Sequence, residues 1–557
     1  IFTGAWGDAN GITGNGVPMM PPGQHSLLQT RSGFSSESLT AEPMYVTAAR
    51  AGKKVVVLSA TQSYPPEPHL ASLGAARSNF TSFSGFEHPI APNVMHEPKD
   101  LDVPKGSWTS LPVREGPWRE STFKIGEENF YVLLYQDRQD PAPGYDTALI
   151  RQGSREAAKA KASAVLKPGR ARDDTSLWSR PFRLEQRDLF ANTFFRLFEL
   201  DPEGKSLKLF QRGANGLKGA ANKDQTELYL KAYAGFHADP FWSYQDGMLG
   251  PQLYQGGDGE AERRLLEMVR LDCHFLREGT KFALRTWRPD LLTHYTPMSD
   301  SAGHTWMGVL DPDSPSHSPT LAARLWPFYA EVYRLQDEWL GDILDMAGRD
   351  TVVALVSDHG MMGTNRRFHV NYVLEQAGLL KRTHDNKIEI AQTKVLAPPN
   401  GDFFVVVNTT DRKDGVVPPD QKREIVDAAA RALLTARDPQ TGLAPVVAVY
   451  RPGQMEGLGG PAGGDLYLDL APGYYPSNSL AQRVAEASRS PIGDGVHGFN
   501  PSLRKMHAIF YLHGPGIGAR PLPPMKQIDV APTLLQLMGV PPPPTVRGRV
   551  LVEALDR

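Results

Sequence analysis

The chain alternates short apolar runs with longer segments of helical character, mainly at its two ends and in its middle. Buried strands are predicted at 53–60, 290–295, 351–358 and 506–514, because short apolar runs bounded by polar residues are typical of strands inside a protein. The run at 351–358 is the most apolar and is predicted to be a central strand. Strands that alternate with helices favour an α/β fold with a doubly wound, mostly parallel sheet.

Two stretches interrupt this rhythm. Pro, Gly and Trp become frequent from about residue 90, and strand-like segments appear at 129–135, 193–200 and 206–211. The sequence Asp201-Pro-Glu-Gly204 separates the last two segments and predicts the turn of a hairpin. The predicted organisation is a core built from 1–90, 266–384 and 491–557, an inserted, partly β subdomain at 91–265, and a smaller α+β insertion or cap at 385–490.

Length, charge and cysteine content exclude several classes of protein. A chain of 557 residues is too long for one simple core. Its net charge of −2 provides no field that attracts nucleic acid or anionic lipid, so no nucleic-acid partner is expected. No apolar run approaches the roughly 18 residues of a membrane-spanning helix. The single Cys273 excludes an internal disulfide framework and a zinc site built from cysteines.

Metal-ligating residue types occur in three places beside the predicted core strands. Asp300 and His304 follow the strand at 290–295, Asp358 and His359 end the strand at 351–358, and His497 lies in a glycine-rich loop before the strand at 506–514. Such spacings also arise by chance in surface loops. Their position is more telling, because ligands bind beyond the carboxyl ends of the strands in an α/β sheet. Carboxylate and neutral imidazole together suit zinc.

The order of these motifs resembles the metal site of the type I phosphodiesterase and nucleotide pyrophosphatase family, a branch of the alkaline phosphatase superfamily. The motifs are Asp-x-x-Gly-His, then a strand that ends in Ser-Asp-His-Gly-Met, then Gly-x-His-Gly. The closing segment IDVAPTLLQLMGVPPPPTVRGRVL is similar to the terminal segment of the wider superfamily, and FTGAWGDANGITGN resembles the stretch that follows the family's nucleophile. The resemblance covers roughly 1–60, 265–375 and 490–557, and it implies an alkaline phosphatase-like fold.

The resemblance implies two zinc ions and a role for each candidate residue. Asp300, His304 and His497 would bind one ion, and Asp358 and His359 would bind the other. Asn15 would donate its side-chain amide to a phosphate oxygen. From the residues alone, Asn15 reads equally as an Asn favoured by a Gly-Asn turn.

The family also has a Thr or Ser nucleophile and one further Asp for the second zinc. By register with FTGAWGDANGITGN, both are expected upstream of Ile1, and Thr3 is not a substitute because it matches the position after the nucleophile. A targeting segment is likewise expected upstream, and the resemblance implies a periplasmic or secreted protein.

The function implied is hydrolysis of a small phosphate ester, most consistent with phosphodiester or nucleotide pyrophosphate bonds, through a covalent phospho-enzyme. The segment after 53–60 supplies no Lys or Arg, which favours diesters over the more highly charged monoesters. Alternatives within the superfamily are a phosphomonoesterase, a sulfatase, a phosphonate hydrolase or a relative of the cofactor-independent phosphoglycerate mutases. An alternative outside enzymes is a metal-binding or adhesion protein.

Overall fold

The structure is a computed structural model. It describes residues 1–85, 87–98, 101–111, 117–137, 143–221, 223–233, 235–399, 401, 403–455, 458–459 and 463–556. The α-helices in these ranges are α1 (Gly7–Asn10), α2 (Met44–Arg50), α3 (Glu67–Leu73), α4 (Lys223–Tyr233), α5 (Pro240–Gln245), α6 (Glu260–Thr286), α7 (Met298–Leu310), α8 (Pro319–Met346), α9 (Val370–Gln376), α10 (Lys422–Thr435) and α11 (Val530–Leu537).

The strands are numbered in the same way along the chain. The first half contains β1 (Gly16–Pro18), β2 (Thr30–Ser32), β3 (Val55–Leu58), β4 (Phe80–Phe83), β5 (Pro89–Ala91), β6 (Val94–His96), β7 (Arg119–Ile125), β8 (Glu128–Tyr135), β9 (Thr147–Gln152), β10 (Ala162–Leu166), β11 (Phe182–Gln186), β12 (Leu189–Thr193), β13 (Phe195–Leu200), β14 (Leu207–Gln211), β15 (Ala214–Asn215) and β16 (Phe236–His237). The second half contains β17 (Leu291–His294), β18 (Val353–Val356), β19 (Met362–Gly363), β20 (Arg366–His369), β21 (Val395–Leu396), β22 (Phe404–Val407), β23 (Val446–Tyr450), β24 (Leu466–Leu470), β25 (Tyr474–Ser477), β26 (Ala485–Ala487), β27 (Gly495–Val496) and β28 (Phe510–His513).

A parallel sheet with helices on both faces confirms an α/β fold. The strands β17, β3 and β4 pair in parallel in that order. Alternate residues of β3 point to opposite faces: Val55 and Val57 pack against α2, whereas Val56 and Leu58 pack against side chains of α4 and α6. Because both faces are covered, β3 is apolar throughout, as the sequence predicted.

The prediction that 351–358 forms a central strand is wrong within the described part of the chain. Its regular part, β18, pairs only with β28, and this pairing is antiparallel. Leu355 is 37% exposed, and Tyr511, its partner across the pair, is 64% exposed. An apolar run predicts a strand but does not specify which strands lie on its two sides. Several separate sheets contain the remaining strands, and the predicted doubly wound arrangement is not confirmed.

The predicted hairpin between β13 and β14 is confirmed. These strands pair antiparallel, and Gly204 donates its N–H to the carbonyl of Asp201 at 2.8 Å in the turn. Gly204 has a φ of +69°, a conformation that glycine adopts at little cost. The other sheets of the predicted insertion include the antiparallel set β10-β9-β8-β7. The predicted domain boundaries stay predictions.

Among the residues that the structure describes, no helix combines the length and the apolar composition that crossing a bilayer requires.

Candidate metal centre

Three segments deliver the predicted ligands to one place. Asp300 and His304 lie on α7, one helical turn apart, so their side chains share a face of the helix. Asp358 and His359 lie in the loop between β18 and β19, and His497 follows β27 directly. The strands β19 and β27 pair with each other, so the loops that carry His359 and His497 run side by side.

The Oδ1 atom of Asp300 is the centre of this cluster. It lies 3.5 Å from Nε2 of His304, 3.8 Å from Nε2 of His359 and 3.9 Å from Nε2 of His497. The Nε2 atom of His359 is also 3.4 Å from Oδ2 of Asp358. The rings of His359 and His497 stack, with centroids 3.6 Å apart. All five predicted ligand residues therefore converge.

Asp300, His304 and His497 fit a single cation. Each offers one ligand atom, and these atoms all lie within 4.8 Å of one another. Zinc bonds to oxygen and nitrogen are about 2.0–2.2 Å long, so ligands of one ion lie a few ångströms apart without touching. In addition, Oδ1 of Asp300 is buried and has no hydrogen-bond partner among the described residues. A buried carboxylate oxygen of this kind requires a partner, and a cation would provide it.

Two backbone carbonyls fix the orientation of the imidazoles. The Nδ1 atom of His304 lies 2.7 Å from the carbonyl oxygen of Gly495, and Nδ1 of His359 lies 2.9 Å from the carbonyl oxygen of Gly360. A carbonyl only accepts, so each Nδ1 carries the proton and donates it. Each Nε2 is then the nitrogen that faces Asp300, and it is the one that carries the lone pair in the neutral imidazole. Histidine ligands of metals usually have such a second hydrogen bond.

The electrostatics favour the ligand form of His497, whereas burial disfavours the charged form of Asp300 when no cation is beside it. Burial, together with the neighbouring His359 and His304, lowers the pKa of His497 to about 3, so its imidazole is neutral at neutral pH. Burial raises the pKa of Asp300, while His304 and His359 act in the opposite direction. A cation beside Asp300 would oppose the effect of burial by stabilising the carboxylate.

Close backbone contact explains why Gly495, two residues before His497, is a glycine. A Cβ atom on Gly495 would lie 1.9 Å from the carbonyl oxygen of Gly303 in α7. Only glycine allows the His497 loop to approach this helix, and the approach places the carbonyl of Gly495 against His304.

Two further residues, Asn15 and Gln527, lie outside the five-residue cluster. Asn15 lies at an exposed position just before β1, and its carbonyl accepts a hydrogen bond from the N–H of Gly33. Its predicted contact with a phosphate oxygen stays a prediction. Gln527 was not predicted: its side-chain amide donates to the carbonyl of Asp358. No motif identifies Gln527, although it directly precedes the closing segment that carries the resemblance.

Comparison with known proteins agrees with the motif order. Residues 231–500 match the model of the family described as Type I phosphodiesterase / nucleotide pyrophosphatase. The expected family resemblance is confirmed. All the ligand residues above lie inside the matched range, whereas Asn15 lies outside it. No curated protein matches the chain.

Among solved structures, the chain is similar to phosphonoacetate hydrolase from Sinorhizobium meliloti 1021. The structure in complex with phosphonoformate matches with 13% identity over 97% of this chain and 82% of that chain, at a TM-score of 0.39. The structure in complex with phosphonoacetate matches with 15% identity over 49% of this chain, at a TM-score of 0.29. This second match spans 56% of the hydrolase chain.

Proposed function

We propose that the protein is a metal-dependent hydrolase of small phosphate esters that acts on phosphodiester or nucleotide pyrophosphate bonds. The observation that carries this proposal is the position of Asp300 Oδ1, buried and without a hydrogen-bond partner among the described residues, within 4 Å of three imidazole Nε2 atoms. The family match over residues 231–500 supports the same class of reaction.

We assign two divalent ions, proposed to be zinc, to this centre. Asp300, His304 and His497 would hold one ion, and Asp358 and His359 would contribute to the other. Only the first group has the spacing of a complete three-residue site within the described residues. Bound in pairs, such ions stabilise both the attacking and the leaving oxygen of a phosphoryl transfer.

The chain's own residues prepare this chemistry. The carbonyls of Gly495 and Gly360 hold His304 and His359 in the tautomer that leaves Nε2 free. The low pKa of His497 keeps its ring neutral, so no proton competes for its nitrogen at neutral pH. Asn15 is proposed to orient a phosphate oxygen with its side-chain amide. The route through a Thr or Ser phospho-enzyme and the periplasmic or secreted location rest on the resemblance alone.

The test combines metal content with substrate choice. The purified protein is expected to bind zinc and, with the Thr or Ser nucleophile that the resemblance implies upstream of Ile1 included, to cleave bis-p-nitrophenyl phosphate faster than p-nitrophenyl phosphate, p-nitrophenyl sulfate or phosphonoacetate. Asp300→Asn should reduce the bound zinc, whereas Asp345→Asn, at an exposed position of α8, should not. A protein that binds no divalent ion would contradict the metal site. Preference for one of the other three substrates would instead assign a different reaction to the same centre.

A further inference from the structure

A buried carboxylate marks the end of the helix that carries two of the ligands. Asp311 is the residue directly after α7 and is only 4% exposed. Its Oδ2 atom accepts the N–H of Gly363 at 2.9 Å, and its Oδ1 atom accepts a hydrogen bond from Nζ of Lys505 at 2.5 Å. Both carboxylate oxygens are therefore bonded to segments distant from α7 in the sequence.

The bond to Gly363 connects α7 to the strand pair beneath the two histidine loops. Gly363 belongs to β19, where it is the register partner of Gly495 in β27. The strand β19 follows the loop of Asp358 and His359, and β27 directly precedes His497. Asp311 is thus hydrogen-bonded directly to the strand pair that connects these two loops.

The bond to Lys505 connects α7 to the chain that packs on the Asp358 loop. Gly360 donates its N–H to the carbonyl of Met506 at 3.1 Å, and a Cβ atom on Gly360 would lie 1.9 Å from the carbonyl oxygen of Lys505. The backbone around Lys505 therefore lies directly against the loop that holds His359. Burial alone would lower the pKa of Lys505, but its hydrogen bonds to Asp311 and Asp313 raise it, so the side chain stays charged at neutral pH.

We propose that the ion pair between Asp311 and Lys505 positions the metal ligands. It holds the loops of Asp358, His359 and His497 at the face of α7 that presents the other two ligands. Neither residue of the ion pair belongs to the ligand set itself, so both are positioning residues. The effect on metal binding rests on the proposed metal-dependent function. The contacts themselves, in which the buried carboxylate of Asp311 joins three segments, are independent of any ion. Outer residues of this kind commonly change metal affinity about 10–100-fold when replaced.

The chain offers matched variants for a test. Lys505→Met removes the charge but keeps an apolar stem of similar length, Lys505→Arg keeps the charge, and Asp311→Asn keeps an acceptor for Gly363. Asp313→Asn is the control, because Asp313 binds the same ammonium group at 2.6 Å but its side chain is 78% exposed.

Two readouts separate this inference from the proposed function. In the zinc-loaded protein, chelator competition is expected to give a zinc Kd at least about tenfold weaker for Lys505→Met and Asp311→Asn, with Lys505→Arg and Asp313→Asn near wild type. In the metal-free protein, hydrogen exchange should become faster in 358–363 and 495–497 in the first two variants, while the exchange of α2 and β3 is unchanged.

The outcomes are distinct. If Lys505→Met and Asp311→Asn both leave the zinc affinity and the hydrogen exchange unchanged, the positioning role is overturned. A wild-type protein that binds no zinc would contradict the proposed function, and the exchange measurement would still decide whether the ion pair holds the loops. If Lys505→Met fails to fold, Asp311→Asn, which preserves shape, provides both measurements.

Discussion

Asp300 Oδ1 and His497 Nε2 lie 3.9 Å apart, although they belong to a helix and a loop that are far apart in the chain. This distance is too long for a hydrogen bond and short enough for two ligands of one ion. The contact brings the loop of His497 against α7.

Zinc is expected to stabilise the folded protein through His304. A ligand that binds only the native state raises its stability by about 2.7 kcal/mol at 100 times the Kd. Saturating zinc should therefore raise the Tm of the wild type, and His304→Ala should lose most of this increase. Differential scanning calorimetry with and without zinc measures this increase in Tm. His384→Ala, at an exposed position, is the control and should keep the full increase.

Replacing Gly495 by alanine should weaken metal binding without removing any ligand. The added Cβ would meet the carbonyl oxygen of Gly303 at 1.9 Å, so the His497 loop must move away from α7. We expect a zinc Kd at least about tenfold weaker, as for the loss of other supporting contacts. The matched control is Gly453→Ala, since a Cβ there meets no atom within 4 Å. Equal zinc affinity in the two variants would show that the close approach of the loop is unnecessary.

His294, at the end of β17, should make the stability of the metal-free protein fall in mild acid. Burial lowers its pKa to about 3, whereas an unfolded chain has a value near 6.5. The folded form therefore binds fewer protons between these values. The contribution of His294 is complete above about pH 6.5 and is lost progressively as the pH falls toward 3. Between pH 7 and pH 5 this loss is on the order of 2 kcal/mol.

The variant His294→Leu isolates this effect. It removes the hydrogen bond between Nδ1 and the hydroxyl of Thr280, so it should be less stable at pH 7. Its further loss of stability between pH 7 and pH 5, measured by urea unfolding, should nevertheless be smaller than in the wild type. The control is His384→Leu, which replaces a histidine at an exposed position. A His294→Leu protein with the full acid loss would show that other groups cause it.

Breaking the ion pair between Arg196 and Glu267 should lower the free energy of unfolding far more than breaking an ion pair at the surface. Both side chains are fully buried, with Nε and Oε2 3.2 Å apart, and they join β13 to α6. Removing one partner leaves a buried charge unpaired and is expected to cost about 3–5 kcal/mol, as in Glu267→Gln or Arg196→Met. Replacing both residues, as Met and Leu, should cost less than the sum of the single changes.

The surface pair of Lys205 and Glu203 provides the comparison. Both of these side chains are largely exposed, and Lys205→Gln should leave the denaturation midpoint close to that of the wild type. Denaturant unfolding of the five proteins, wild type included, completes the test. A cost for Glu267→Gln as small as that of Lys205→Gln would show that water reaches the buried pair.

The sequence identified the candidate ligands that converge in the structure better than it identified the framework around them. Asp300 and His304 were expected in a loop after a strand, but they lie on α7, where a spacing of four residues puts both on one face. The pair Asp358 and His359 follows a strand in the structure as predicted. The strand itself was placed wrongly, because its apolar residues could not reveal that β28 is its only partner among the described strands. The tautomers of His304 and His359 also required coordinates, since Gly495 and Gly360 act through carbonyls that every residue possesses.

The sequence by itself determined which side chains can bind a cation, the turn at Gly204 and the apolar strand β3, because each depends on residue types within a few positions. Only the tertiary structure decided that His497 faces Asp300, that Asp311 binds both Lys505 and Gly363, and that β18 is half exposed. Those relations join residues far apart in the chain, and they follow from how the segments pack. Local propensity and periodicity contain no information about such packing.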